Sequence, residues 1–226
     1  MSKLIVAGCS VSDYTEVDRV WGDYLAEHLG LEYKHLAAAC GSNDRSFRLL
    51  TNDIRNNVIK SDDIVIVQYT TTERTEFWSS IPPLEADHSE IDFRDPYAGG
   101  SIIKFKIGSH ETFKGTDAKF TKLYERFINQ NFELDKFINN HISFQCLAKE
   151  YNIHNLYFVK VGIYGWDEIA HGNMPSIPKY KDNFLNYRDL LEEQKWRLAF
   201  DNLHLNDQGH KELASRVFAR LNSNKG

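Results

Sequence analysis

Cysteine is scarce in this chain, with three in 226 residues, at Cys9, Cys40 and Cys146. An odd, widely spaced set argues against a disulfide framework and a thiolate metal site, and a reducing cytosol is the simplest setting. Long apolar runs are absent as well. Nothing approaches the roughly 18 consecutive apolar residues of a membrane span. The opening MSKLIVAGCS holds one lysine and an apolar stretch too short for a leader's central region. Basic excess is missing too: 27 Lys and Arg stand against 32 Asp and Glu, a net charge of -5, which removes any broad pull on nucleic acid. There is no Walker loop, no GxGxxG and no HExxH, and His88 and His171 have no ligand-spaced partners. No metal or cofactor is expected. Without repeats, low-complexity tracts or a linker, residues 1–226 read as a single domain.

What is present alternates. Short apolar runs at Lys3–Ala7, 31–37, 63–69 and Asn155–Val161 predict buried strands. Between them, helical spacing predicts helices over residues 17–29, stopped by Gly30, and from a Ser42 or Asn43 cap to about 59. Residues 119–150 read as one long helix or two broken near 129–131, and Asp207 is expected to cap a last helix over 208–221. Residues 70–116 differ, with four glycines, three prolines and an acidic cluster from Glu85 to Asp95. This reads as a long functional loop holding one strand of a small hairpin at 101–107. Pro175 and Pro178 mark a second irregular region. Strand–helix alternation implies an α/β fold, a parallel sheet with helices on both faces, and ligands bound beyond the carboxyl ends of its strands.

Three such ends carry candidate chemistry: Gly8-Cys9-Ser10, the turn over 37–43, and residues 69–74. The Ser10 hydroxyl would stand above the sheet in a turn opened by Gly8, near the free amides of a following helix. Far along the chain, Asp201-Asn202-Leu203-His204 places a carboxylate three residues before an imidazole, the spacing of an oriented general base. Taken singly, each also reads as a turn cap or a surface residue. Cys9 reads as a small buried hydrophobe, and His210 as an anchor for the last helix.

Together Gly8-Cys9-Ser10, Gly41, and Asp201-x-x-His204 followed by Asn206, Gly209 and His210 resemble the SGNH (GDSL-type) hydrolases across nearly the whole chain. The resemblance implies a three-layer α/β/α flavodoxin-like fold and a serine esterase acting on small acyl or carbohydrate O-acetyl esters. It casts Ser10 as nucleophile, Asp201 as acid, His204 as base and the Ser10 and Gly41 amides as oxyanion donors. The family's Gly-x-Asn-Asp motif is replaced here by Gln68-Tyr69-Thr70-Thr71-Thr72-Glu73-Arg74. Thr72 takes the asparagine's place, with Asn43 or Arg74 as substitutes, and Arg74, Phe77, Trp78 and Tyr97 are expected to line the pocket. A small-molecule or glycan ester is the expected partner, with no nucleic acid or membrane. The altered motif keeps a second reading open, a non-catalytic module binding a glycan or other ligand on the same fold. A nucleotide-binding flavodoxin-like protein is the third, although GCSVSD offers little glycine for a phosphate loop.

Overall fold

Five segments of the sequence pair into one sheet. The computed structural model describes residues 2–14, 17–38, 41–70, 74–79, 101–106, 130–161, 175–187 and 204–223. Strands β1 (Lys3–Ala7), β2 (Glu32–His35), β3 (Ile64–Tyr69), β6 (Asn155–Val161) and β7 (Phe184–Tyr187) lie in the order β2-β1-β3-β6-β7. Every pair is parallel, with Leu4 beside Tyr33 on one side and Ile64 on the other, and Phe158 beside both Val67 and Phe184. The order reverses between β1 and β3, the switch point beside which open parallel sheets bind their ligands. Strands β4 (Arg74–Ser79) and β5 (Ser101–Lys106) form a separate antiparallel hairpin, Arg74 opposite Lys106.

Period-two alternation divides the core. Leu4, Val6, Ile66, Val159 and Val161 face α1 (Trp21–Leu29) and α4 (Asp207–Ser223). Ile5, Ala7, Val65, Val67, Tyr69, Leu156 and Phe158 face α2 (Asn43–Arg55) and α3 (Gln130–Glu150). The expected three-layer α/β/α architecture is therefore present, and both helical layers are clamped to the sheet by buried apolar side chains.

Helix limits follow from local bonding. α1 starts at Trp21 and not at Val17, because the Asp23 carboxylate reaches back to the Val20 amide at 2.8 Å and fixes the first turn there. It ends at Gly30, whose φ of 67° lets the Leu31 amide close on the Ala26 carbonyl. α2 is capped by Ser42, whose hydroxyl accepts from the Arg45 amide at 3.0 Å. It stops at Arg55, short of residue 59, because Asn57 adopts φ 55° and the Val58 amide turns back to the Asp53 carbonyl. Asn206, one residue before the expected cap, starts α4: its side chain accepts from the Gly209 amide at 2.9 Å. Asp207 belongs to the first helical turn.

The edge strand β7 was not legible in the sequence. Pro175 and Pro178 mark an irregular region, yet a short 3-10 turn at Pro178–Tyr180 leads into Phe184–Tyr187. Asn183 makes the splice: its carbonyl accepts from the Phe158 amide and its side chain donates to the Leu156 carbonyl. Residues 119–129, the acidic cluster, Tyr97, Cys40, His88 and His171 lie outside the described residues. Among the described residues, no helix is long and apolar enough to cross a membrane.

Candidate active site at the carboxyl ends of the strands

β1 ends in a glycine because nothing larger fits. A Cβ on Gly8 would stand 2.7 Å from the Gln68 Oε1 and 2.9 Å from its Cβ. Beyond it the chain tightens into a 3-10 turn at Ser10–Ser12, in which the Ser12 amide donates to the Cys9 carbonyl at 2.9 Å. Ser10 opens this turn and is half-buried, whereas Cys9 before it and Ser12 after it are buried. Cys9 is buried, its Sγ donating to Gln68 Oε1 at 3.3 Å, which fits the reading of a packed small side chain.

The turn after β2 presses against this one. A Cβ on Gly41 would meet the Gly8 carbonyl oxygen at 2.7 Å and the Ala38 carbonyl oxygen at 3.0 Å, so only glycine brings the two turns together. The Ala38 amide donates to the Gly8 carbonyl at 3.2 Å. The Gly41 amide, cast as an oxyanion donor, donates to the Ala38 carbonyl at 2.9 Å. Asn43, cast as a substitute donor, is buried and clasps the end of β3: its Nδ2 donates to the Thr70 carbonyl and its Oδ1 accepts from the Thr70 amide, both at 3.0 Å. Asn43 thus anchors the start of the segment that carries Thr72.

The last motif arrives from the other end of the chain. His204 is half-buried just before α4 and lies close enough to His210 for its positive form to disfavour a charge there. His210 is buried and its Nδ1 accepts from the Trp21 amide at 3.1 Å, which makes it the anchor of the last helix. Burial holds His210 down to a pKa of about 4, against partial support from Asp207, so it is neutral at physiological pH. An accepting Nδ1 requires the tautomer with hydrogen on Nε2.

Trp21 joins the two ends. Its backbone amide is held by His210, while its indole Nε1 donates to Ser12 Oγ at 2.8 Å. Ser12 is two residues from Ser10, and His210 is six from His204. Ser10 and His204, far apart in sequence, therefore belong to segments fastened to one residue at the start of α1. On the outer side of the turn, Asp13 meets His35 Nε2 at 3.1 Å and ties it to β2.

Not every expected residue can be placed. Asp201 and Thr72 lie outside the described residues. Arg74, Phe77 and Trp78 lie on β4, the hairpin strand that follows β3 after four residues and packs against α2. Gln68 and Trp21, which carry the hydrogen bonds joining these segments, were missed as site residues. A glutamine closing an otherwise apolar run, Ile64-Val65-Ile66-Val67, was the available signal for the first; a tryptophan on a helix face offers none. Among the described residues, no group of three His, Cys, Asp or Glu could hold a metal.

Solved structures with this fold include esterases. The psychrotrophic esterase EstA from Pseudoalteromonas sp. aligns over 99% of this chain and 98% of its own, with a TM-score of 0.50 and 9% identity. The lipase Lip_vut3 from a goat rumen metagenome aligns over 97% of both chains at a TM-score of 0.49 and 9% identity. The acetyl xylan esterase Est2A from Butyrivibrio proteoclasticus covers all of this chain and 64% of its own, at 0.45 and 15%. At 9% identity the likeness to EstA is one of fold. No family model matches the chain, and no curated protein does.

Proposed function

We propose that the protein is a serine esterase of the SGNH (GDSL) type. The observation that carries this reading is the convergence on Trp21: the turn bearing Ser10 and the cap segment bearing His204 are fastened to the same residue, beside the sheet's switch point. In the proposed reaction Ser10 Oγ attacks an acyl carbonyl while His204, oriented by Asp201, takes its proton. The same imidazole returns the proton to the departing alcohol. Water, activated by His204, then attacks the acyl-enzyme and restores Ser10. The Ser10 amide and Thr72 bind the oxyanion. The Gly41 amide joins them only if its bond to Ala38 opens, and Asn43 acts through its clasp on Thr70. Arg74, Phe77 and Trp78 wall the substrate side, and the substrate is a small acyl ester such as a carbohydrate O-acetyl group.

The test is hydrolysis of p-nitrophenyl acetate together with intact-mass detection of a fluorophosphonate adduct. Wild type should turn over and gain one adduct, with Ser10 Oγ displacing fluoride. Ser10→Ala should lose both, and His204→Ala should lose at least 1000-fold in rate. A wild-type protein inert to esters of every acyl length and to the probe would favour a ligand-binding module on the same fold. That second reading rests on the Gly41 amide, already engaged by Ala38, and on a third motif without the family's asparagine.

A further inference from the structure

We infer that Gln68 is a positioning residue that sets the nucleophile turn, and that it serves the esterase reading of Ser10 on which this inference rests. Gln68 is the one polar side chain within β3 on the face that otherwise presents Ile64 and Ile66 to α1 and α4, and it is 1% exposed. A buried amide persists only where its groups find partners. Its Oε1 faces three donors: the Cys9 amide at 3.1 Å, Cys9 Sγ at 3.3 Å and Ser12 Oγ at 3.3 Å. Its Nε2 donates to the Tyr69 carbonyl.

Those partners bracket Ser10. One lies immediately before it and one two residues after it, so a single oxygen holds both shoulders of the turn. The Ser12 hydroxyl receives the Trp21 indole N–H at 2.8 Å, which leaves its own proton for Gln68. The chain of donors then runs from the indole through Ser12 to Gln68, while the Trp21 amide continues to His210. Gln68 thereby sits at the head of the network that fastens the Ser10 turn to the His204 segment. The fit is tight enough to dictate sequence: a Cβ on Gly8 would overlap this side chain. Cys9 fits as well, since a thiol can donate to the amide oxygen, whereas an ionised carboxylate there would offer that oxygen only another acceptor.

A residue that aims the nucleophile should change the rate of attack, not substrate affinity. The experiment measures the rate at which a fluorophosphonate probe labels Ser10, by intact mass across pH, with p-nitrophenyl acetate kinetics alongside. Gln68→Met keeps length and removes every hydrogen bond; its labelling rate and kcat should fall roughly 100-fold with KM little changed. Gln68→Glu gives a signature that a merely structural role would not. Protonated, the acid reproduces the acceptor and the one donor that the amide uses here; ionised, it turns an acceptor against the Tyr69 carbonyl. Its labelling should approach wild type at low pH and fall ever further below wild type as pH rises. Should Gln68→Met not fold, Cys9→Ala and Cys9→Ser keep the test alive: alanine should slow labelling several-fold and serine should restore it. Wild-type labelling rates and pH profiles in both Gln68 variants, with Ser10→Ala inert, would overturn the role of Gln68 while leaving the esterase standing. An unlabelled wild type would overturn both.

Discussion

Two neighbouring residues on β3 head two buried polar networks on opposite faces of the sheet. Gln68 points toward α1 and α4, where its bonds lead through Ser12 and Trp21 to His210. Tyr69 points toward α2 and α3, where its hydroxyl meets His141 Nδ1 at 2.5 Å, and His141 in turn meets Gln145. Gln145 Oε1 accepts from the Ile177 amide at 2.9 Å, which secures the segment entering β7. Both networks include a buried, neutral histidine, His210 and His141, each pushed down to a pKa of about 4 chiefly by burial. The chemistry is alike and the destinations differ. One network fastens the segments of the candidate site; the other, lined by the rings of Phe47, Phe137 and Phe158, fastens an edge strand to the core. Buried polarity of one kind thus serves positioning on one face and architecture on the other.

Acid should break both networks, and this is the largest effect expected. A histidine neutral in the fold to about pH 4 takes up its proton at about 6.5 once unfolded. Below pH 6.5 the unfolded chain therefore binds protons the native state refuses, and stability falls until about pH 4, where both states are charged. Each histidine costs about 3 kcal/mol over that window, a large share of a domain's roughly 5–15 kcal/mol. Urea melts at pH 7.5 and pH 5 should show a clear drop in midpoint. His210→Gln, which keeps an acceptor for the Trp21 amide, should remove about half of it. An unchanged drop would mean that another group titrates.

The comparison then sharpens by substitution. His210→Leu leaves the Trp21 amide without an acceptor, and His141→Leu strips the Tyr69 hydroxyl of its partner. Each should cost about 1–3 kcal/mol in a denaturant melt at pH 7.5. Activity should separate them: per folded molecule, His210→Leu should lower the probe-labelling rate of Ser10 at least tenfold, and His141→Leu should leave it unchanged. Equal losses in both would show that the two faces are not functionally distinct. Tyr69→Phe, a smaller cut on the architectural side, should cost about 1 kcal/mol and leave labelling intact.

How far the sequence foretold this arrangement varies with the physics involved. Strands β1, β3 and β6 were legible because runs buried on both faces leave a continuous apolar signature, and the short, partly exposed β2 fell within the expected run 31–37. The four-residue edge strand β7 was not, since Phe184-Leu185-Asn186-Tyr187 is too short to show a pattern and follows two prolines. Ser10 and His204 were legible as members of a spaced motif, and His210 as a helix anchor. The atoms joining those segments were not, because Gln68 and Trp21 act through contacts between residues far apart in sequence. Gly41 was legible as a required glycine, but its amide's partner, the Ala38 carbonyl, is a matter of turn geometry that sequence does not display.

The smallest expected effect separates the two histidines without touching either. Asp207, in the first turn of α4, favours a charge on His210 even though burial dominates; His141 has burial and a hydrogen bond to the Pro175 backbone carbonyl as its determinants. Removing the carboxylate charge by Asp207→Asn takes away the support that raises His210. Its protonation should move further down, while that of His141 stays where it is. Asp207 also accepts from the Tyr24 hydroxyl and from Lys211 at 2.6 Å, and an asparagine oxygen can keep one of these, so the stability change at pH 7.5 should stay below about 1 kcal/mol. Histidine ring-proton titration by NMR reads both groups in one experiment. A downward move of the His210 midpoint alone would show that the two faces titrate independently. Parallel movement of both would show that opening one network opens the other, and that the sheet between them does not insulate the candidate site from the architecture behind it.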